Sequence, residues 1–377
     1  MLVSFVIPCL NEEKSIVEVI NDCHNAGEKV KSYEIIVSDN GSEDNSIELA
    51  KLHGAKIVYT KKRGYGAALK EGIKNANGKY IIMGDADKTY DFSKSYHFIR
   101  ILDKGFDFVI GNRFKGNIQK DAMPPLHFYI GNPVLSALGR LFFGIKIGDF
   151  HCGLRGFKKE SFAKLNIESD GMEFASEMII KASLLGLDIT EIATNLRKSP
   201  PGRDSHLRTW RDGWRHLKYM LSFAPEFSLL SSSIIFLLLA LILIIFYSIQ
   251  FSIFGGTNTL LISLSCFIIS INISSDYLLS REIIFSRYKK NIFNNCDRLS
   301  LLLGLNKGTD RLFKCSFIAL ISSIIFGIRF YLNFINNTLP SIGASINGFI
   351  FSLMIVLCIS LYLTATKINT FRNLYSK

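Results

Sequence analysis

Asp85 and Asp87 are separated by a single alanine and follow directly on the apolar run 80–83. A carboxylate pair in that position can hold Mg2+ or Mn2+ while the ion's remaining positions take diphosphate oxygens, which would stabilise a departing nucleotide. An isolated Asp-x-Asp is more often a solvated turn, so its neighbours have to decide. One of them is Asp39, which ends the apolar run 34–38 and opens Asp39-Asn40-Gly41-Ser42. Its carboxylate can accept from a base N–H, although Asn-Gly and Ser also suit a plain turn and helix cap. A calcium loop fits less well, because the alternating acidic ligands and the terminal Glu are missing. Another neighbour is Lys62-Arg63-Gly64-Tyr65-Gly66, where Gly66 suits a tight backbone beside a nucleotide and the cations are available to phosphate. The glycines also suggest a dinucleotide fingerprint, but the third glycine is absent and the segment follows the third apolar run instead of the first.

These groups need a scaffold that gathers them. Residues 1–110 alternate short β-branched runs with helical patterns, the signature of βαβ units and a parallel sheet. Strands are predicted over 3–7, 34–38, 56–59, 80–83 and 108–110, with helices beginning near Asn11, Asp44, Gly66 and Phe92. In an open parallel sheet ligands bind beyond the carboxyl ends of the strands. The segments at those ends carry Pro8, Asn11 and Glu12, then Asp39, then Gly66, then Asp85 and Asp87, then Arg113. From 123 to 165 the pattern is irregular apart from a helix over 133–143, and a further helix is expected over 173–185.

The chain has 377 residues and a formal net charge of +12. Charges recur up to Glu226 and then vanish until Asp276, a run far longer than the ~20 apolar residues that cross a bilayer. Four crossings are expected, over 227–250, 260–280, 315–334 and 343–366. The chain therefore divides into a soluble domain, 1–225, and a membrane domain, 226–377. Basic residues such as Arg281, Lys289, Lys290 and Arg298 crowd the segment between the second and third crossings, whereas the two hairpin tips carry none. By the positive-inside rule both termini and the soluble domain face the cytoplasm, at the plasma membrane if the source is bacterial. Anionic headgroups account for the positive charge more directly than nucleic acid, which is not expected as a partner. The seven cysteines form no CxxC pair, which argues against a disulfide framework or a zinc site. No signal peptide is expected, because the N-terminus lacks a basic region followed by an apolar core, and the first crossing must direct insertion.

Both tryptophans, Trp210 and Trp214, fall in a basic stretch just before the first crossing. At helical spacing Trp210, Trp214, Leu217 and Leu221 form one stripe. A core helix has the same periodicity, but the position and the mixture of Trp with Arg and Lys favour an interfacial amphipathic helix near 206–222.

Taken in order, VIPCLNEE, SDNGSEDNS, GYGAALKEGI, GDADKTYDF and GNRFKG resemble glycosyltransferase family 2, especially its polyprenyl-phosphate branch, the dolichyl-phosphate mannose and glucose synthases. DFHCGLRGF, GMEFASEM and RDSHLRTWRDGWRHLKYML extend the resemblance to about residue 225. It implies an α/β fold of the nucleotide-diphospho-sugar transferase type (GT-A), followed by an all-α transmembrane region. Pro8, Asn11, Glu12, Asp39 and Asp85 would then lie at the nucleotide, and Asp85 and Asp87 at the metal. Arg113 would act near the phosphates, and Arg113, Arg203 and His206 would receive the acceptor phosphate. The implied reaction is inverting, metal-dependent transfer of a sugar from a nucleotide-diphosphate sugar to a polyprenyl phosphate, dolichyl or undecaprenyl. A lipid monophosphate has a second pKa near ~6, so this nucleophile arrives ionised and needs no general base.

Three positions depart from the family pattern. His206 stands in place of a Lys, Thr89 in place of a Gln beside the metal, and Phe128 where an Arg is expected before a helix, with His127 as its substitute. The rival readings are a processive membrane polysaccharide synthase and a lipid-carrier flippase or scaffold with a vestigial transferase domain. The first lacks its TED and Gln-x-x-Arg-Trp motifs here, and the intact carboxylates and Arg113 weigh against the second. The second membrane pair leaves a homo-oligomer open.

Overall fold

The computed structural model describes residues 2–30, 32–201, 209–249, 257–288, 310–335 and 342–375. Arg203 and His206 lie outside the described residues, as do both expected hairpin tips and the basic segment 289–309. The chain separates into two compact units, Met1–Phe223 and Ala224–Lys377.

The first unit is built on one seven-stranded sheet. Its strands are β1 (Val3–Cys9), β2 (Tyr33–Asp39), β3 (Lys56–Tyr59), β4 (Tyr80–Met83), β5 (Phe108–Asn112), β6 (Arg155–Lys158) and β7 (Ile189–Ala193). Their order is β3-β2-β1-β4-β6-β5-β7. β4 is buried along its whole length, as expected of an apolar run covered by helices on both faces. Val6, Ile36, Leu69, Ile81, Met83, Phe108, Phe157 and Phe174 belong to one buried cluster that joins the strands to the helices Tyr65–Lys74 and Phe174–Leu184.

The expected parallel sheet is corrected in one respect. β6 runs antiparallel to both neighbours, pairing Met83 with Arg155 on one side and Ile110 with Arg155 on the other. Its segment fell in the stretch expected to be irregular. β7, whose residues are only partly buried, was also absent from the expected strands. The antiparallel direction has a consequence for the site. The start of β6, not its end, lies at the ligand edge, so the loop 149–153 sits beside the loop that follows β4.

The first helix, Ile16–Gly27, starts five residues after its expected origin at Asn11. Asn11 takes a left-handed φ of 55°, which no helix continues, and the chain turns there before Glu12 accepts the first helical amide, that of Ile16.

The second unit contains the helices Ser231–Ser248, Thr257–Tyr288, Asp310–Ile335 and Ile342–Tyr375. Among the described residues three spans are long and apolar enough to cross a membrane: Glu226–Ser248, Thr259–Tyr288 and Ile350–Lys367. The expected third crossing coincides with Asp310–Ile335, whose described apolar stretch, Lys314–Ile325, is shorter. Hydroxyls tie these helices together: Ser263 donates to the Ala240 carbonyl at 2.9 Å and Ser316 to the Cys358 carbonyl at 3.0 Å. Such small polar contacts are the usual adhesive between helices in lipid, where apolar contact alone supplies little drive.

Candidate active site

Strand order reverses at β1 and β4, and a crevice opens where their carboxyl ends part. Two cavities meet there. One, of about 440 Å3, is lined by Pro8, Glu12, Asn40, Arg63, Gly64 and Tyr65 together with Asp85 and Asp87. The other, of about 490 Å3, also touches Asp85 and Asp87 but runs out past Arg113, His127 and His151 to Met123, Leu126, Ile130, Trp210, Trp214 and Leu217. Asp212 borders both. The carboxylate pair is thus the shared wall between a chamber richer in charged side chains and one whose mouth carries aliphatic and aromatic side chains.

Both carboxylates are held by neighbours. Tyr65 donates its hydroxyl to Asp85 at 2.9 Å. Burial and the Asp85 charge push the Tyr65 phenol well above its ordinary pKa, so it stays a donor. The other Asp85 oxygen lies where a side chain on Gly153 would collide with it, at 2.7 Å from the added Cβ. Asp87 accepts from the Thr89 amide at 3.1 Å and from its hydroxyl. Thr89 therefore orients a carboxylate. Among the described residues no third His, Cys, Asp or Glu joins the pair. Two carboxylates suit Mg2+ or Mn2+, ions that keep most positions for water and substrate phosphate.

Of the residues expected at the nucleotide, Pro8, Glu12 and Asp85 line the first cavity, whereas Asn11, Asp39 and Gly66 do not. The Asn11 side chain accepts from the Glu43 amide at 2.8 Å, and Asp39 accepts from the Ser42 amide at 3.0 Å. Both order the loops behind the wall. A Cβ on Gly66 would meet the Ser169 carbonyl at 2.7 Å, so this glycine lets its helix approach the loop 169–171. Asn40 takes the place at the wall, donating to the Lys62 carbonyl at 2.9 Å and accepting from the Gly64 amide at 2.7 Å. Arg63 faces the cavity, while Lys62 pairs with Asp170 at 3.5 Å. Behind this chamber Glu177 and Lys181 form a buried ion pair at 2.5 Å, and Glu177 accepts the Glu168 and Ser169 amides.

Arg113 is buried on the second cavity and gripped by Asp149, with Nε to Oδ2 at 2.6 Å and Nη2 to Oδ1 at 2.7 Å. This bidentate fork fixes the guanidinium plane and leaves Nη1 for a ligand. His127 stands on the same wall, and burial with the Arg113 charge holds its imidazole below the usual pKa. Arg155, fully buried, donates to the carbonyls of Cys152, Ala175 and Phe150 at 2.8, 2.7 and 3.1 Å, and so pins the loop carrying Asp149 and His151. The helix Thr209–Ser222 turns Asp212, His216 and Met220 inward and leaves Trp210 81% and Trp214 61% exposed. Its tryptophan stripe is therefore not a core face.

Sequence reasoning missed Tyr65, Asp149, His151, Asp212 and His216 as site residues. Each lies inside a quoted motif, so the signal was present. For Asp149 and His151, what was missing was the reversed strand that carries 149–153 to the ligand edge, and for Tyr65, Asp212 and His216 it was the direction in which their helices face.

Residues 4–165 match Glycosyl transferase family 2. The chain is similar to the low-salt glycan biosynthesis hexosyltransferase Agl6 of Haloferax volcanii, 37% identical over 59% of this chain and 54% of that protein, so it spans about half of this relative's length. It is similar to the glycosyltransferase AglJ of the same organism, 31% identical over 56% of this chain and 68% of that protein. It is also similar to that organism's dolichyl-phosphate hexose transferase, 26% identical over 51% of this chain and 82% of that protein. With the GT-A type of sheet and the paired carboxylates at its switch point, the chain belongs to glycosyltransferase family 2 and is a glycosyltransferase.

Proposed function

We propose that this enzyme transfers a sugar from a nucleotide-diphosphate sugar to a polyprenyl phosphate, with a divalent metal, at the cytoplasmic face of a membrane. The observation that carries this reading is the pair of unlike cavities sharing Asp85 and Asp87 as their wall. The more highly charged chamber suits a nucleotide diphosphate, with Arg63 facing the phosphates. The apolar mouth, with Leu126, Ile130, Trp210 and Trp214, suits a prenyl chain whose phosphate stops at Arg113. Similarity to a dolichyl-phosphate hexose transferase points the same way.

A metal bound at Asp85 and Asp87 would neutralise charge on the leaving diphosphate. Arg113, immobilised by Asp149, would hold the acceptor phosphate, with Arg203 as the further cation suggested by the family pattern. Because the phosphate is already ionised at neutral pH, the residues have to position it and exclude water, not remove a proton. The direction of attack from the opposite chamber supports inversion at the sugar.

The test is incubation of purified enzyme with polyprenyl phosphate and a panel of labelled nucleotide sugars. One sugar per lipid phosphate, acid-labile, with release of nucleoside diphosphate, is the expected product. A growing glycan made without lipid phosphate would assign the enzyme to the polysaccharide synthases instead. Orientation is checked by reporter fusions after Lys290 and Lys377, both expected on the cytoplasmic side.

A further inference from the structure

The inward face of the helix Thr209–Ser222 does more than pack. His151 Nε2 lies 3.0 Å from the Ser176 hydroxyl, and that hydroxyl lies 2.8 Å from His216 Nδ1. A hydroxyl carries one hydrogen, so between two imidazoles it donates to one and accepts from the other. The far nitrogen of His151, Nδ1, is sealed within the protein without a partner. A sealed N–H is a rarer and costlier defect than a sealed lone pair, so the His151 hydrogen belongs on Nε2. His151 then donates to Ser176, and Ser176 donates to His216 Nδ1. With Nδ1 accepting, the hydrogen of a neutral His216 sits on Nε2. Both rings are neutral at physiological pH: burial, with Arg155 nearby, drives His151 well below its usual value, and burial brings His216 to about 4 despite Asp212.

His216 Nε2 makes no hydrogen bond among the described residues, is not sealed, and belongs to a side chain on the second cavity. One turn earlier, Asp212 borders both cavities, its charge balanced by Arg211 at 3.5 Å and Arg215 at 3.9 Å. With the leaving diphosphate and its metal at Asp85 and Asp87, the substrate group that must lie beside them where the chambers join is the sugar ring, between the diphosphate and the acceptor. We infer that His216, as an Nε2–H donor, and Asp212, as an acceptor, together recognise a hydroxyl of the transferred sugar, making this helix a determinant of sugar choice. A sugar hydroxyl donates and accepts at once, which such a pair satisfies. This rests on the glycosyl-transfer reading above.

The test uses the full-length enzyme with Mn2+ and polyprenyl phosphate, and the probes UDP, UDP-glucose, UDP-galactose, UDP-N-acetylglucosamine, GDP and GDP-mannose. His216→Asn keeps a polar group where Nδ1 meets Ser176 but removes the Nε2 donor, whereas His216→Gln can present an amide N–H near the Nε2 position. The Asn variant is expected to lose about ten-fold in kcat/KM for the preferred sugar and to narrow the ratio between stereoisomers. Its affinity for the free nucleoside diphosphate should stay within about two-fold, since His216 does not line that chamber, and Gln should restore part of the loss. An Asn variant with unchanged rate and preference overturns the inference. So does an equal loss for nucleoside diphosphate and sugar conjugate, which would mark a structural role, or a raised Mn2+ requirement, which would make His216 a metal ligand. Wild-type enzyme that binds and transfers no conjugate would overturn the glycosyl-transfer reading as well, and this shows before any variant is made.

Discussion

The two chambers flanking Asp85 and Asp87 are built differently. The first chamber is made mainly of strand ends and the turns that follow them, 8–10, 12, 40 and 63–65, and the helix Thr209–Ser222 adds only its charged residues Arg211, Asp212 and Arg215. The second chamber shares the strand ends at Asp85, Asp87 and Arg113 but is otherwise walled by His151, from the loop entering a reversed strand, and by helices, with His127, Ile130, Trp210 and His216. Strand-end sites inherit their geometry from backbone hydrogen bonding, whereas the second chamber depends on side-chain contacts such as Arg113 with Asp149 and His151 with Ser176. The first should therefore be the more rigid and the second the easier to perturb.

The largest expected effect falls on the wall they share. Asp85→Asn and Asp87→Asn should each lower turnover by roughly a hundred-fold or more while leaving the thermal midpoint nearly unchanged. Chelation should silence the wild type reversibly. Metal-free enzyme with full activity would remove the metal from the account.

Next come the two buried ion pairs, one behind each chamber. Asp149→Ala strands Arg113, and Glu177→Ala strands Lys181; each should cost about 3 kcal/mol of stability, because an uncompensated charge stays buried. Their kinetic signatures should differ. The first should raise the KM for lipid phosphate, the second that for nucleotide sugar, because Glu177 holds the amides of 168 and 169 beside the chamber wall. If both variants shift the same KM, the division into donor and acceptor chambers fails.

Acid should separate the chambers as well. His151 and His216 are depressed in the folded state, so the unfolded chain binds protons that the folded one refuses. Stability is then complete above an unfolded pKa of about 6.5 and falls as pH drops from there toward 4. Behind the first chamber, burial raises Glu177 but hydrogen bonds from Lys181, Ser169 and the Glu168 amide outweigh it and hold its pKa low. Its contribution persists down to about pH 4.5 and is lost only below. Melts of wild type and of His216→Asn between pH 7.5 and 5 should show a steeper fall in the wild type. Parallel curves would mean that the imidazoles do not carry the effect.

The smallest effect is expected at the exposed tryptophans. Trp210→Ser and Trp214→Ser should change stability by no more than about 0.5 kcal/mol. They should raise the KM for long-chain polyprenyl phosphate several-fold and leave that for a short, water-soluble prenyl phosphate unchanged. Equal shifts for both acceptors would place the tryptophans at the phosphate and not at the chain or the membrane.

Local pattern was enough for much of this protein. β1 to β5, the carboxylate pair, the chambers' common edge and the apolar second half all follow from hydrophobic period, from what ends each run, and from uncharged length. Those are signals a chain carries residue by residue. The direction of β6 is not, because Arg155-Gly156-Phe157-Lys158 reads the same whichever way it pairs, and its place between β4 and β5 rests on contacts far apart in sequence. That one reversal brings Asp149 to Arg113 and Gly153 to Asp85. The same holds for Asn11, Asp39 and Gly66, whose types suited a nucleotide and whose contacts in the fold are with Glu43, Ser42 and Ser169, outside the lining of the first cavity. Residue type determined which groups were able to do the chemistry; long-range packing decided which of them reach the cavity, because a side chain's reach of a few ångströms depends on where distant segments of backbone come to rest.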